Sequence, residues 1–191
     1  VIYEKKSGEI MEYIPPSDKS TWGFNLSNYV SDDYFVLYPD IVYGVDSPGA
    51  DALNCVTAAV NKVLEAYSIS KERIAIMGHS FGGYETNFII TQTNMFKAAG
   101  AGAPVVNMTS AYGGIRWGTG MSRMFQYEQT QSIIGGTLWD KPLFYIENSP
   151  LFTMDRVNTP VLIMHNDADG AVPWYQGIEM FMALKRLDKP A

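Results

Sequence analysis

The chain has 191 residues, a length that suits one domain and leaves little for a second. Lys and Arg number 14 against 20 Asp and Glu, a net charge of −6 that excludes nucleic acid as a partner, since phosphate binding needs a basic footprint. Apolar residues at 47% and aromatics at 13% describe a folded core rather than disorder, and the single Cys excludes an intrachain disulfide or a cysteine-rich zinc site. No signal-peptide pattern opens the chain, which starts at Val1 inside an apolar run, so no compartment is assigned. The longest uncharged stretch of note, Ala98 to Ile115, is broken by Gly, Pro and Asn and does not read as a membrane segment. The sequence reads as a piece of a longer protein.

Four short apolar runs are bounded by turn signals: Phe35 to Tyr38, Ile74 to Met77, Ala98 to Ala103, and Val161 to Met164. None alternates polar with apolar, so each is expected as a strand buried on both faces, as in a parallel sheet. Between them lie helical patterns. Leu53, Val56, Val60, Leu64 and Tyr67 follow Ser47-Pro48-Gly49 at spacings of three and four, and Tyr84, Phe88 and Ile89 continue a stripe after Gly82-Gly83. Trp174, Ile178, Phe181, Met182 and Leu184 form another near the end. Alternating strands and helices define an α/β fold with right-handed crossovers. The stretch from Asn107 to Asn148, within a loop-rich segment spanning 104–150, holds no sustained period and is expected to cover the active-site end of the sheet.

The chemistry resides in Ile74-Ala75-Ile76-Met77-Gly78-His79-Ser80-Phe81-Gly82-Gly83, a buried strand, then Gly-x-Ser-x-Gly, then a helix. That order is the nucleophile elbow, in which the serine sits on a strained turn and its hydroxyl stands above the sheet edge. The amide of Phe81 points the same way and can donate to a developing oxyanion. Serine needs a base, and the base an orienting acid that on this fold follows a later strand. The run Val161 to Met164 leads into His165-Asn166-Asp167-Ala168-Asp169-Gly170, where Asp167 and Asp169 both qualify by position. A calcium-loop register over the same residues puts His165 and Gln176 where Asp and Glu are wanted, and is rejected. Neither histidine fits the base: His79 adjoins Ser80, and His165 precedes the acids.

These residues resemble the catalytic domain of the prolyl oligopeptidase family of serine peptidases, whose members include dipeptidyl and acylaminoacyl peptidases. The resemblance covers nearly the whole chain. It is carried by Lys71 to Tyr84 around the elbow, Gly102-Ala103-Pro104-Val105, Asn148-Ser149-Pro150, Thr159 to His165, and then Asp169 and Val172-Pro173. It implies an α/β-hydrolase fold over 1–191, a mostly parallel sheet with helices on both faces (a three-layer sandwich), incomplete here. The family pattern of His, then Asp four residues on and Val seven on, falls on His165, Asp169 and Val172. It therefore selects Asp169 as the acid and makes His165 a structural marker. It also matches Tyr3 to a tyrosine that helps bind the oxyanion, and Val105, Met108 and Val172 to the pocket beside the nucleophile.

In the family the base lies roughly thirty residues after the acid, whereas Ala191 is 191 − 169 = 22 residues beyond Asp169. The base, and a β-propeller N-terminal domain as partner, are thus expected elsewhere in the parent protein. The implied activity is hydrolysis of short peptides without metal or organic cofactor. An esterase or acyl hydrolase on the same fold is the alternative enzyme, and an inactive homologue acting as a binding module is the alternative outside enzymes. An uncovered sheet edge makes a homo-oligomer a further expectation. Asn25-Leu26-Ser27 and Asn107-Met108-Thr109 match the glycosylation acceptor pattern.

Overall fold

The computed structural model describes residues 26–191. Its centre is a three-stranded parallel sheet in the order β1-β2-β5, formed by β1 (Ala75–His79), β2 (Ala98–Gly102) and β5 (Val161–Met164). Register follows from the pairs Ile76–Ala99, Ala99–Val161 and Gly102–Met164, so the C-terminal ends of all three strands meet at one edge. Helices α1 (Leu26–Ser31), α2 (Pro48–Ala66), α3 (Phe81–Gln92), α4 (Met108–Tyr112), α5 (Pro142–Glu147) and α6 (Tyr175–Arg186) surround it. Pro48 opens α2, where its missing N–H costs nothing. No helix among the described residues is long and apolar enough to cross a membrane.

Helix α3 is the hub, because every residue from Phe81 to Thr91 is buried. Its Ile89 and Ile90 join Ile76, Ala99 and Ala101 of the sheet, Val56 and Val60 of α2, and Met180 and Leu184 of α6 in the main core. The small Ala and Gly residues of β2 let α3 approach closely: a Cβ at Gly83 would stand 2.8 Å from the Gly102 carbonyl oxygen. The two faces of the sheet are covered unequally by the described residues. Ile76, Ala99 and Val161 lie under the helices, whereas Leu162 and Met164 on the opposite face are exposed. On that second face Tyr29 of α1 reaches Met77, its hydroxyl 3.4 Å from the sulfur.

Two expectations are corrected. The run Phe35 to Tyr38 is not a strand; it makes no ladder, and the Phe35 side chain is 77% exposed. An apolar run becomes a strand only where neighbouring backbone pairs with it, and the described sheet ends at β1. The stripe read for the last helix is also turned. Of its members only Leu184 is buried, and α6 faces inward through Gln176, Gly177, Met180 and Leu184. Gln176 is drawn in by hydrogen bonding, accepting the Val106 and Asn107 amides at 3.0 and 2.9 Å through Oε1.

Between β2 and β5 the chain forms α4, the antiparallel hairpin β3 (Ile115–Arg116) and β4 (Met121–Ser122), a π-helical turn (Gln126–Thr130), α5, and a 3₁₀ segment (Pro150–Arg156). Tyr112, Tyr127 and Tyr145 form a second core with Phe81, Tyr84 and Phe88, and so join this segment to α3. Burial pushes the Tyr84, Tyr127 and Tyr145 phenols above the ordinary tyrosine range, which keeps all three neutral.

Candidate active site

Ser80 connects β1 to α3 with φ 58° and ψ −118°. A non-glycine residue held there stores roughly 1–3 kcal/mol of strain, which persists only where the surroundings enforce it. The enforcement is visible on both sides of the residue. Its N–H donates to the Gly102 carbonyl at 2.8 Å, and its own carbonyl accepts from Tyr84 at 3.1 Å in the first turn of α3. The turn is so tight that a Cβ at Gly78 would lie 1.9 Å from the Gly82 carbonyl oxygen. Serine at a helix N-cap ordinarily spends its hydroxyl on the helix amides, yet Ser80 makes no such bond. Phe81 opens α3, so its N–H is one of the donors a helix start leaves without an intrahelical partner. Its ring is buried against Tyr43 and Tyr84.

Asp169 follows β5 and stands at the same edge of the sheet, with β2 between the two strands that carry the pair. One carboxylate oxygen, Oδ1, accepts the Ala171 and Val172 amides at 2.8 and 2.9 Å. The other, Oδ2, lies 3.7 Å from His165 Nε2, beyond hydrogen-bond reach. The Asp169 side chain keeps 19% exposure. Asp167 is exposed.

His165 is fixed elsewhere. Its Nε2 lies 3.0 Å from the Val172 carbonyl oxygen, and because a carbonyl only accepts, Nε2 carries the proton. The ring packs where a Cβ at Gly177 would come within 2.8 Å of Nδ1, which places it beneath α6. His79 lies over β2, where a Cβ at Gly102 would meet its Nδ1 at 2.9 Å. Val105, Met108 and Val172 share one buried cluster with Phe81. Tyr3 lies outside the described residues. Asn107 is 8% exposed and caps α4 through its side-chain oxygen, with no room for a glycan; Asn25 lies outside the described residues. Among the described residues no group of His, Cys, Asp and Glu is placed to hold a metal ion.

Sequence reasoning missed Arg123, a guanidinium buried to 3% exposure beside the acid loop. The available signal was an arginine four residues before Tyr127 in an otherwise apolar and aromatic stretch, the spacing of a cation–π pair.

A strand, a strained serine and a buried helix, with a carboxylate one strand beyond the neighbouring one, are the arrangement of the α/β-hydrolase fold. The chain belongs to the prolyl oligopeptidase family, whose model matches residues 47–191. It is 29% identical over 187 residues to an uncharacterized peptidase, YuxL, of Bacillus subtilis, covering 95% of this chain and 24% of that protein. It is 31% identical to the acylamino-acid-releasing enzyme of Rattus norvegicus, covering 71% of this chain and 18% of the enzyme. Among solved structures, Pyrococcus horikoshii acylaminoacyl peptidase superposes with a TM-score of 0.68 at 26% identity, over 76% of this chain and 22% of that one. The chain thus spans roughly a fifth to a quarter of the length of the relatives it matches.

Proposed function

We propose that this chain supplies the nucleophile, the orienting acid and an oxyanion donor of a serine peptidase that cleaves short peptides. The observation that carries the reading is the elbow: Ser80 is strained, does not cap its own helix, and stands at the sheet edge that also carries Asp169. Ser80 Oγ attacks the scissile carbonyl, and the Phe81 amide, with the hydroxyl of Tyr3, binds the oxygen as it gains charge. Asp169 Oδ2 accepts from the base and fixes its tautomer. The base is a histidine from beyond these 191 residues, because of the chain's two histidines His165 is bonded to the Val172 carbonyl and His79 precedes Ser80 on β1 and packs over Gly102. No step calls for a metal or an organic cofactor. Val105, Met108 and Val172 wall the pocket for a small apolar side chain beside the scissile bond.

The relatives named acylaminoacyl peptidases and acylamino-acid-releasing enzymes support N-acylated short peptides as the substrate class. Residues 104–150 cover the active-site end, and an N-terminal domain of propeller type in the parent protein limits access to small peptides. Strand β5 ends the described sheet, and beyond the Val161 N–H, which donates to the Pro190 carbonyl, its outer edge is the surface for self-association. The test is labelling of the full-length protein with a fluorophosphonate, followed by matched aminoacyl ester and anilide substrates. Modification of Ser80 with turnover of both substrates is expected. Ester turnover without anilide cleavage overturns the peptidase assignment, and absence of label overturns the nucleophile.

A further inference from the structure

Arg123 is a buried cation for which the proposed chemistry has so far given no use. Among the described residues no carboxylate lies within ion-pair distance of it, and its Nε makes no hydrogen bond. Its Nη2 donates to the Tyr127 hydroxyl at 3.1 Å, and its guanidinium stacks over the Tyr127 ring at 5.7 Å. Its Nη1 donates to the carbonyl oxygen of Ala171. Taking a guanidinium out of water costs several kcal/mol, and a phenol and one carbonyl are modest compensation.

The identity of that carbonyl matters. The Ala171 C=O and the Val172 N–H belong to a single peptide group, and that N–H donates to Asp169 Oδ1 at 2.9 Å. Arg123 and Asp169 therefore sit at the two ends of one peptide dipole, cation on the oxygen and anion on the hydrogen. A hydrogen bond to the oxygen of an amide polarises its N–H and strengthens what that N–H donates. The preceding carbonyl is held from the same side: Gly118, between β3 and β4, donates to the Gly170 oxygen at 2.9 Å. The hairpin thus grips two successive carbonyls of the acid loop.

We propose that Arg123 is a positioning residue for the acid, acting through the Ala171–Val172 peptide to hold Asp169 Oδ1, so that Oδ2 faces the base. This rests on Asp169 being the catalytic acid. In this role Arg123 acts through the peptide and not on the substrate or the reacting atoms. The hairpin, inserted between β2 and β5, thereby becomes part of the catalytic support rather than a cover alone.

The test is a double-mutant cycle in the full-length protein, with an N-acylaminoacyl coumarin amide as substrate. Arg123→Met is expected to lower kcat about 10- to 100-fold, the cost of a small misplacement, with KM changed less than about twofold because no substrate contact is lost. Arg123→Lys, which retains a charged donor, restores most of the loss. In the Asp169→Asn background, Arg123→Met should change kcat by less than about twofold, since both substitutions act through one carboxylate. An equal fold-loss in both backgrounds, or no loss from Arg123→Met in the wild-type protein, overturns the proposal. If Arg123→Met does not accumulate folded, Arg123→Gln, uncharged and shorter, replaces it with the same thresholds. If Asp169→Asn alone leaves kcat within about tenfold, it is the acid assignment that fails, and this proposal with it. A crippling Asp169→Asn with additive Arg123 losses refutes the positioning role alone.

Discussion

Ser80 and Asp169 occupy the same edge of one sheet, yet they are held by different means. The elbow is built from its own backbone: glycine at 78, a carbonyl from β2, and the first turn of α3 leave Ser80 a single conformation. The acid loop is closed by short-range bonds, the Ala171 and Val172 amides on Oδ1 and His165 on the Val172 carbonyl, and is then held from a distance by the hairpin on the Gly170 and Ala171 carbonyls. A locally determined site fails by steric clash. One held by side-chain hydrogen bonds, some of them to a distant hairpin, fails by losing those bonds, and each kind of failure can be provoked separately.

The largest expected effects fall on the two reacting groups. Ser80→Ala should reduce kcat about 10⁵- to 10⁶-fold and abolish fluorophosphonate labelling, with thermal unfolding little changed, since alanine keeps the Cβ and with it the strained backbone. Asp169→Asn should cost about 10⁴-fold, because an amide presents the wrong tautomer to the base even in unchanged geometry. A loss from Asp169→Asn that equals or exceeds that from Ser80→Ala, measured on one substrate, would contradict the ranking. Next comes the elbow itself. At Gly78→Ala the added methyl meets backbone at 1.9 Å, so β1 and α3 must part. A loss of about 3 kcal/mol in urea unfolding is expected, together with slower labelling of Ser80. Unchanged stability would mean that the turn is not as tight as the geometry requires.

The same contrast explains what could be read from the residues. The elbow was legible because its determinants are contiguous: a buried run, the spaced glycines and an apolar stripe on one stretch of chain. The strands Ala75–His79, Ala98–Gly102 and Val161–Met164 were legible for the same reason. Phe35 to Tyr38 carries an equally apolar run, but a strand also needs a paired edge, which no local pattern reports. On α6 hydropathy pointed to Trp174, Ile178, Phe181 and Met182. Each of these retains 39% exposure or more, while Gln176 is wholly buried. A glutamine whose amide satisfies two backbone N–H groups belongs inside, and a scale of side-chain polarity places it outside. The acid needed the family pattern to separate Asp169 from Asp167. What distinguishes them physically is the pair of amides closing on Oδ1, a property of the folded loop.

The smallest of these effects probes the acid-side scaffold at its outer margin. Asn107 caps α4, its Oδ1 accepting the Thr109 amide and hydroxyl at 3.1 and 2.7 Å, while its Nδ2 donates to Glu179 Oε2 of α6 at 2.7 Å. Glu179 Oε1 accepts from Ser110 at 2.7 Å, so one carboxylate ties the helix after the acid loop to the chain leaving β2. Asn107→Ala removes the cap, worth about 1 kcal/mol, and one donor to a carboxylate, worth about 1.5 more. A loss of about 2.5 kcal/mol in urea unfolding is expected. Asn107→Asp separates the two contributions, since it retains the capping oxygen but sets a second carboxylate against Glu179. If side-chain bonding between α4 and α6 supports this half of the site, Asn107→Asp should be no more stable than Asn107→Ala. Full recovery by Asn107→Asp would show that the cap alone matters, and that the acid side, like the elbow, is held by its own backbone.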